Sequence, residues 1–453
     1  MAGKSIFLIY NNISSSKRGV TVKVLGIIAE YNPFHNGHMH HLKSSLELIK
    51  PDYTIVAMSG HFTQRGEAAI IDKWERTEMA LKNGVDIVVE LPAAYSSQTA
   101  ELFAYGGVQL LNHTGVVTHI SFGSEIGAIQ PLAEIARILA DEPQPYKALL
   151  RRYLDQGLSF PQARHRAIVE QAKTTGFSFS ESQWEKIINS SNSILAIEYL
   201  KALYRTGSSI IPVTIRRIGA SYNAQELSGE ISSATAIRNE LLKQKCWDSI
   251  SRAMPRSSFE ILKRAVESGK GPVTNACLEQ LFLGKIRSMP LEDIKNLMDV
   301  DEGLENRIRE CALKASSLDE FMVLAKTRRY VYTRLQRILV HALLGITRER
   351  VERFRNTGGP QYLRILGFST RAIPLLKHLK QNARVPIITK AAHHHRLLEN
   401  PVAREMFEID VLATNLYSLG IPDPSYRKGN RDFTEKIRVI NAGRSLLDFL
   451  CGP

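Results

Sequence analysis

Cysteine is scarce in this chain. Its 453 residues hold four, Cys246, Cys277, Cys311 and Cys451, spaced too widely for a CxxC metal knuckle or a disulfide framework. So few thiols fit a reducing compartment, and a cytoplasmic protein is expected. Long apolar runs are missing as well. The apolar start Ile6-Phe7-Leu8-Ile9-Tyr10 is followed by Asn11-Asn12 and three serines without a small-residue cleavage site, so residues 1–21 read as an N-terminal extension. No other window approaches the roughly twenty apolar residues that a membrane helix needs, and no membrane partner is expected. Internal repeats and low-complexity tracts are absent. Acidic residues are outnumbered: 45 Asp and Glu face 59 Lys and Arg, a formal charge of +14 that favours a polyanionic partner.

What is present is an ordinary globular composition, 44% hydrophobic and 23% charged, in a chain long enough for two or three domains. Val22–Ala29 is a continuous, β-branched apolar run, as a strand buried on both faces of a parallel sheet requires. It stops at Asn32-Pro33, and a helical pattern opens near Gly37-His38 with Leu42, Leu46 and Ile49 on one face. The alternation repeats with strands at Tyr53–Met58, Asp86–Leu91 and His119–Gly123, and helices at Lys73–Asn83 and Glu101–Asn112. A further strand at Ile210–Ile218 precedes a helix at Ala234–Gln244. This order predicts a Rossmann-like parallel α/β sheet over residues 22–245, with ligands at the carboxyl ends of its strands. Residues 246–453 read as a helix-rich, basic region carrying a small α/β unit made of Tyr362–Leu366, Arg371–Lys380 and Val385–Thr389.

Two motifs carry chemistry. His35 and His38 stand three residues apart in the opening turn of the first helix, on one side of it and beside backbone N–H groups that attract phosphate. The imidazoles can donate to phosphate oxygens as charge develops, and Gly37 is expected to let a nucleotide approach the backbone. The later segment Ile231-Ser232-Ser233-Ala234-Thr235-Ala236-Ile237-Arg238 offers hydroxyls at a helix start and a guanidinium fork one turn on. His35, His38, Ser233 and Arg238 form the expected catalytic set. The basic stretch Lys326 to Arg337 places Lys326, Arg328, Arg329, Arg334 and Arg337 around Tyr330 and Tyr332, which suits phosphate pairing and base stacking. Lys326, Arg328, Arg329, Tyr330, Arg334 and Arg337 are the candidate RNA contacts. The run His393-His394-His395 points its rings in different directions and is assigned no metal.

These motifs, in this order, resemble the HIGH superfamily of nucleotidyltransferases, whose second signature is of the form ISSTxIR. Ala234 is an extra residue relative to that spacing and leaves the separate roles of Ser232 and Ser233 open. From about residue 23 onward the chain is similar to the bacterial tRNA(Met) cytidine acetate ligases. The likeness is carried by Gly26–His38, Met58–Glu67, Ser121–Glu125, Asn192–Tyr199 and the Lys326–Arg337 segment. The resemblance implies that ATP activates acetate as acetyl-adenylate, which then acetylates the exocyclic amine of the wobble cytidine in elongator tRNA(Met). It implies ATP contacts along Ile28-Ala29-Glu30-Tyr31-Asn32-Pro33-Phe34-His35-Asn36-Gly37-His38-Met39-His40-His41, at Gly123, at Asn192 with Asn189 as its rival, and at Arg217 beside Arg216. Gly123, at a strand's carboxyl end, is expected to leave room for adenine or ribose. Gln64, Arg65 and Glu67 are candidates for the carboxylate pocket. Magnesium is expected with ATP, its ligands unassigned. No pyrophosphate loop of the form QxxGxG/A for acetyl-coenzyme A is present. Two other readings stand beside this one: adenylyl transfer to a small mononucleotide, and a non-catalytic nucleotide-binding RNA adaptor.

Overall fold

The computed structural model describes residues 22–158, 160–174, 187, 190–218, 231–243, 246–301 and 303–441. The extension at 1–21, Asn189 and Gln244 lie outside the described residues. The first strand, β1, is Val24–Ala29. Its alternate side chains enter two different layers. Val24 joins a cluster with Ile55, Val89, Leu111 and Tyr199, while Leu25 and Ile27 join another with Phe34, Leu42, Met58 and Ile237. Burial on both faces explains why the run is apolar without interruption.

The chain continues through α1 (Asn36–Ile49), β2 (Tyr53–Ser59), α2 (Lys73–Lys82), β3 (Ile87–Leu91), α3 (Ala100–His113), β4 (His119–Ser124), α4 (Ser191–Arg205), β5 (Ile211–Arg216) and α5 (Ala234–Lys243). α2 begins where it does because the Asp72 carboxylate accepts from the backbone N–H groups of Trp74 and Glu75, at 3.0 and 2.9 Å. The strands align β5-β4-β1-β2-β3, all parallel. After β3 the chain crosses back to the far side of β1. That reversal opens a crevice at the carboxyl ends of β1 and β4.

Beyond residue 246 short helices lead to α6 (Tyr332–Leu344), β6 (Leu363–Ser369), β7 (Ile387–Ile388), α7 (Pro401–Ser418) and β8 (Arg438–Ile440). The expected small α/β unit adds its strands to the existing sheet. β6 runs antiparallel to β3, pairing Ile87 with Phe368 and Val89 with Ile365, and both β7 and β8 run parallel to β6. The expected helix at 371–380 opens as a 3-10 turn, Thr370–Ala372, before Ile373–Asn382.

Ionic groups pack this join. Lys73 is fully buried, with its Nζ 2.7 Å from Glu90 and 2.8 Å from Asp432, and Arg364 lies 2.6 Å from Asp432 and 3.1 Å from Glu90. Arg431 pairs with Asp72 at 2.7 Å and lies over the Trp74 ring.

Candidate nucleotide site

The two histidines close the start of α1 on each other. His35 is the N-cap: its Nδ1 accepts from the Gly37 N–H at 3.0 Å, and the Nδ1 of His38 accepts from the His35 N–H at 3.3 Å. This is a capping box built from two imidazoles in place of the usual hydroxyl and carboxyl. A ring whose Nδ1 accepts a hydrogen bond carries its proton on Nε2. Each ring therefore presents an Nε2–H donor away from the backbone. The ring centroids are 3.9 Å apart, and His38 also packs edgewise on Tyr31. Burial, then the positive charges of Arg217 and Arg238, push His35 down to about 3. Burial and the neighbouring His35 and Arg217 likewise hold His38 well below the ordinary histidine range. Both rings are neutral donors at physiological pH, suited to an anion without competing for its proton.

Arg217 reaches this point along an ordered chain of contacts. Its Nη1 donates to the Asn192 Oδ1 at 2.9 Å, and the Asn192 Nδ2 donates to Glu125 at 2.8 Å. Glu125 also accepts from the hydroxyls of Ser190 and Ser193, each at 2.8 Å. These donors hold its carboxyl below the usual range despite burial. Arg238, one turn into α5, donates to the Asn32 carbonyl at 3.0 Å and to Glu67 at 2.8 Å. Ser233 caps α5, its Oγ accepting from the Ala236 N–H at 3.0 Å. Arg76 is wholly buried and ties the strand ends together, donating to the carbonyls of Glu30 at 2.6 Å, Ser59 at 3.0 Å, Gly60, and Ile71 at 3.2 Å.

The two histidines, Arg217 and Ser233 border two hollows, with Asn192 lining the larger and Arg238 the smaller. The larger, about 320 Å³, runs from Ile28, Phe103, Phe122, Leu195 and Tyr199 to His35, His38, Arg217 and Ser233. One end is apolar and the other cationic, the division a nucleotide needs between base and phosphates. The smaller, about 60 Å³, lies between Glu30, Asn32, Arg65, Glu67, Thr235 and Arg238, with His35 and His38 on its wall. The Asn32 Nδ2 is buried without a hydrogen-bond partner among the described residues. Burial raises the Glu30 carboxyl above its usual range, opposed by a hydrogen bond from the Gln64 N–H at 2.8 Å. Tyr31 holds φ at +47°, a left-handed conformation rare outside glycine and asparagine, where the chain turns between the two hollows.

Of the expected contacts, Ile28, Ala29, Glu30, Tyr31, His35, Gly37, His38, His40, His41, Gly123, Asn192 and Arg217 line the larger hollow, and Asn32 lines the smaller. Four others do not line either. Phe34 is fully buried in the core, Met39 packs against the same cluster, the Asn36 side chain donates to the Arg252 carbonyl, and Pro33 follows a cis peptide bond. The two glycines serve side chains before ligand. A Cβ on Gly37 would lie 2.8 Å from the His35 Cε1, and one on Gly123 would lie 3.1 Å from the Arg217 Cγ.

In the basic segment Lys326, Arg328 and Arg329 are exposed. Arg334 and Arg337 are turned inward, Arg334 donating to the Asp299 carbonyl at 2.9 Å and Arg337 pairing with the Asp299 carboxylate at 2.7 Å. Tyr330 is only 8% exposed and has no open face for a base, whereas Tyr332 is 43% exposed. Sequence reasoning assigned no role to Glu125 or Arg76. Glu125 stood within a quoted motif, but its contacts depend on a segment 65 residues later.

A parallel sheet with its crevice at the switch point, two histidine donors at a helix start and a second Ser-Thr-Arg helix define a nucleotidyltransferase of the HIGH class. A family model described as HIGH Nucleotidyl Transferase matches residues 22–432. Curated relatives match this chain over nearly their full length. The tRNA(Met) cytidine acetate ligase of Acetivibrio thermocellus is 43% identical over 422 residues, 92% of this chain and all of that one. That of Thermotoga maritima is 41% identical over 412 residues, 89% and 97% of the two chains. Crystal structures of Thermotoga maritima TmcAL superpose on 93% of this chain and all of theirs, with a TM-score of 0.87 and 39% identity for the form bound to alpha-thio ATP, and 0.89 and 40% for the apo form. The chain belongs to the tRNA(Met) cytidine acetate ligase family.

No helix among the described residues is long and apolar enough to cross a membrane. Nor do three or more His, Cys, Asp or Glu side chains gather there as a metal site.

Proposed function

We propose that this protein activates acetate with ATP as acetyl-adenylate and transfers the acetyl group to the wobble cytidine of elongator tRNA(Met), releasing AMP and pyrophosphate. The observation that carries this reading is the reciprocal cap between His35 and His38, which turns two Nε2–H donors toward the cleft that Arg217 and Ser233 share. Acetate is a poor acyl donor, and the amine of cytosine, its lone pair delocalised into the ring, is a poor nucleophile. An activated anhydride is therefore required. ATP is assigned to the larger hollow, base against Phe103, Phe122 and Tyr199 and phosphates toward the two histidines, Ser233 and Arg217. Preorganised donors of this kind stabilise the charge that develops at the α-phosphate. The smaller hollow suits a carboxylate of two carbons. Arg65 and Arg238 supply positive charge there, and the buried amide of Asn32 has a donor to spare. Magnesium would accompany the triphosphate. Exposed Lys326, Arg328 and Arg329 are assigned to the RNA backbone.

The test is to incubate the protein with ATP, labelled acetate and unmodified elongator tRNA(Met), then locate the label by nuclease digestion and mass spectrometry. Label on the anticodon cytidine, lost in His35→Ala and His38→Ala, is expected. Unlabelled RNA together with adenylylation of a mononucleotide would overturn the reading in favour of the dinucleotide-forming reaction.

A further inference from the structure

The loop that carries Glu67 rests on α6, the helix that follows the exposed cations Lys326, Arg328 and Arg329. Gly66 has φ of +76°, and a Cβ there would lie 2.5 Å from the Gln336 carbonyl carbon and the Arg337 nitrogen, so the two backbones touch. One turn before Gln336 on the same face of α6 stands Tyr332, and helical side chains lean toward the N-terminus. Tyr332 thus stands about one helical turn, roughly 5–6 Å, along α6 from the backbone that Gly66 touches. Burial, and then the charges of Asp319 and Glu67, push its hydroxyl up. Glu67 itself lines the small hollow and holds Arg238 at 2.8 Å. The segment leading into Tyr332 is apolar and cationic together: Val331 is 52% and Leu324 36% exposed, and Lys326, Arg328 and Arg329 are exposed in the same stretch of chain.

Proteins hold a base splayed from a single-stranded RNA loop on an exposed aromatic ring with cations nearby in the chain. We propose that Tyr332 is the platform on which the target base stacks, its exocyclic amine turned to Glu67 at the mouth of the acyl hollow. This rests on the function proposed above. A carboxylate accepts a hydrogen bond from the amine of cytosine and repels the carbonyl oxygen that uracil carries at the same ring position. Glu67 thereby favours cytosine over uracil, and Tyr332 supplies affinity without reading the sequence. Tyr330, two residues earlier, has no such part because its ring belongs to the core.

The test separates the two half-reactions in the full-length protein. Acetate-dependent exchange of pyrophosphate into ATP needs no RNA, whereas transfer is followed as kcat/KM for elongator tRNA(Met). Tyr332→Ala should lower transfer about five- to 150-fold, the loss expected of one base–aromatic stack, with no matching loss of exchange. Tyr332→Phe should restore transfer, because the ring and not the hydroxyl is used. Glu67→Gln should lower transfer at least tenfold more than exchange. Transfer by Tyr332→Ala at the unsubstituted rate, or Tyr332→Phe as impaired as Tyr332→Ala, overturns the platform. Equal losses of exchange and transfer in Glu67→Gln overturn the role of that carboxylate. An unsubstituted protein that exchanges pyrophosphate but does not label the tRNA would overturn the proposed function itself, a result distinct from either.

Discussion

Replacing Gly37 by alanine adds one methyl group, and the structure indicates where it goes. The new Cβ would lie 2.8 Å from the Cε1 and 3.0 Å from the Nδ1 of His35, well inside ordinary van der Waals contact. His35 is 6% exposed and pinned between the Gly37 N–H and the His38 ring, so it has no open rotamer to take. The ring must tilt out of the capping box and carry its Nε2–H off the phosphate path. Two stability effects oppose each other here. Alanine in place of glycine favours the helix by up to about 1 kcal/mol. Loss of the N-cap bond costs about the same. Denaturation should therefore report a net change within about 1–2 kcal/mol. Catalysis has no such compensation, since loss of one preorganised donor lowers the rate about a hundred- to a thousandfold. The assay is acetate-dependent pyrophosphate exchange at saturating ATP, beside a urea titration. A Gly37→Ala protein that exchanges within threefold of the original would refute the claim that this glycine exists to seat His35. Equal losses of activity and of folded protein would refute it too.

Other expectations follow from the same contacts. Glu125→Ala removes the acceptor that fixes Asn192 and through it Arg217; loss of one such charged hydrogen bond, about 1.5 kcal/mol, should raise KM for ATP roughly tenfold with kcat little changed. An unaltered KM would show that Arg217 needs no support from Asn192. Lys73→Met leaves Glu90 and Asp432 buried beside Arg364 alone and should cost about 3–5 kcal/mol by chemical denaturation; a change below about 1 kcal/mol would show that Arg364 satisfies both acids. His41, its Nε2 3.0 Å from the Ser121 hydroxyl, is pushed down to about 4 by burial and then by Arg217. The unfolded chain takes up this proton near pH 6.5 and the native chain only near 4. Stability from this group is complete above 6.5 and declines as pH falls through that window, by about 2 kcal/mol at pH 5. His41→Asn should flatten that decline, and an unchanged slope between pH 7 and 5 would contradict it.

Much of the nucleotide domain was legible because its strands are buried on both faces and write themselves as unbroken apolar runs. β1 through β5 begin and end within about two residues of the expected bounds. The two motifs were legible for a related reason: a helix start beside a strand's carboxyl end is local in sequence. What could not be read depends on distant pairing. β8 is three residues long, too short for periodicity, and β6 gives no sign in its own sequence that it will run antiparallel to β3. Lys73, Arg364 and Asp432 have the types of surface residues yet are buried, since each is matched by a partner from another part of the chain. Gly37 and Gly123 were singled out as places where an absent side chain leaves room for a nucleotide; in the structure the same space borders the side chains of His35 and Arg217. Tyr330 and Tyr332 share a residue type and a basic neighbourhood, and only packing decides which ring faces outward.

The parallel sheet alone would be enough to hold a nucleotide, and the rest of the chain has a physical task inside the site. Glu67 lines the smaller hollow, and the backbone of residues 66 to 70 is secured from both parts of the chain: the Gly66 N–H donates to the Thr63 carbonyl and the Ala69 N–H to the His61 carbonyl, each at 2.9 Å, and the Ile70 N–H to the Asn32 Oδ1 at 2.7 Å. Asn275 accepts from the Ala68 N–H at 2.8 Å and donates to the Gly66 carbonyl at 2.9 Å. The Val273 N–H donates to the Ile70 carbonyl at 2.9 Å, and the Tyr417 hydroxyl to the Ala69 carbonyl at 2.8 Å. Backbone groups satisfied in this way cannot shift without leaving buried polar atoms unpaired. Lys73, Arg364 and Arg431 then lock the same two halves together in a dry interior, where parting the charges is costly. The position of Glu67, and with it the hold on Arg238, therefore depends in part on contacts from beyond residue 246. Under the proposed function, activation at the smaller hollow and delivery beside the exposed cations would therefore draw on one packed unit.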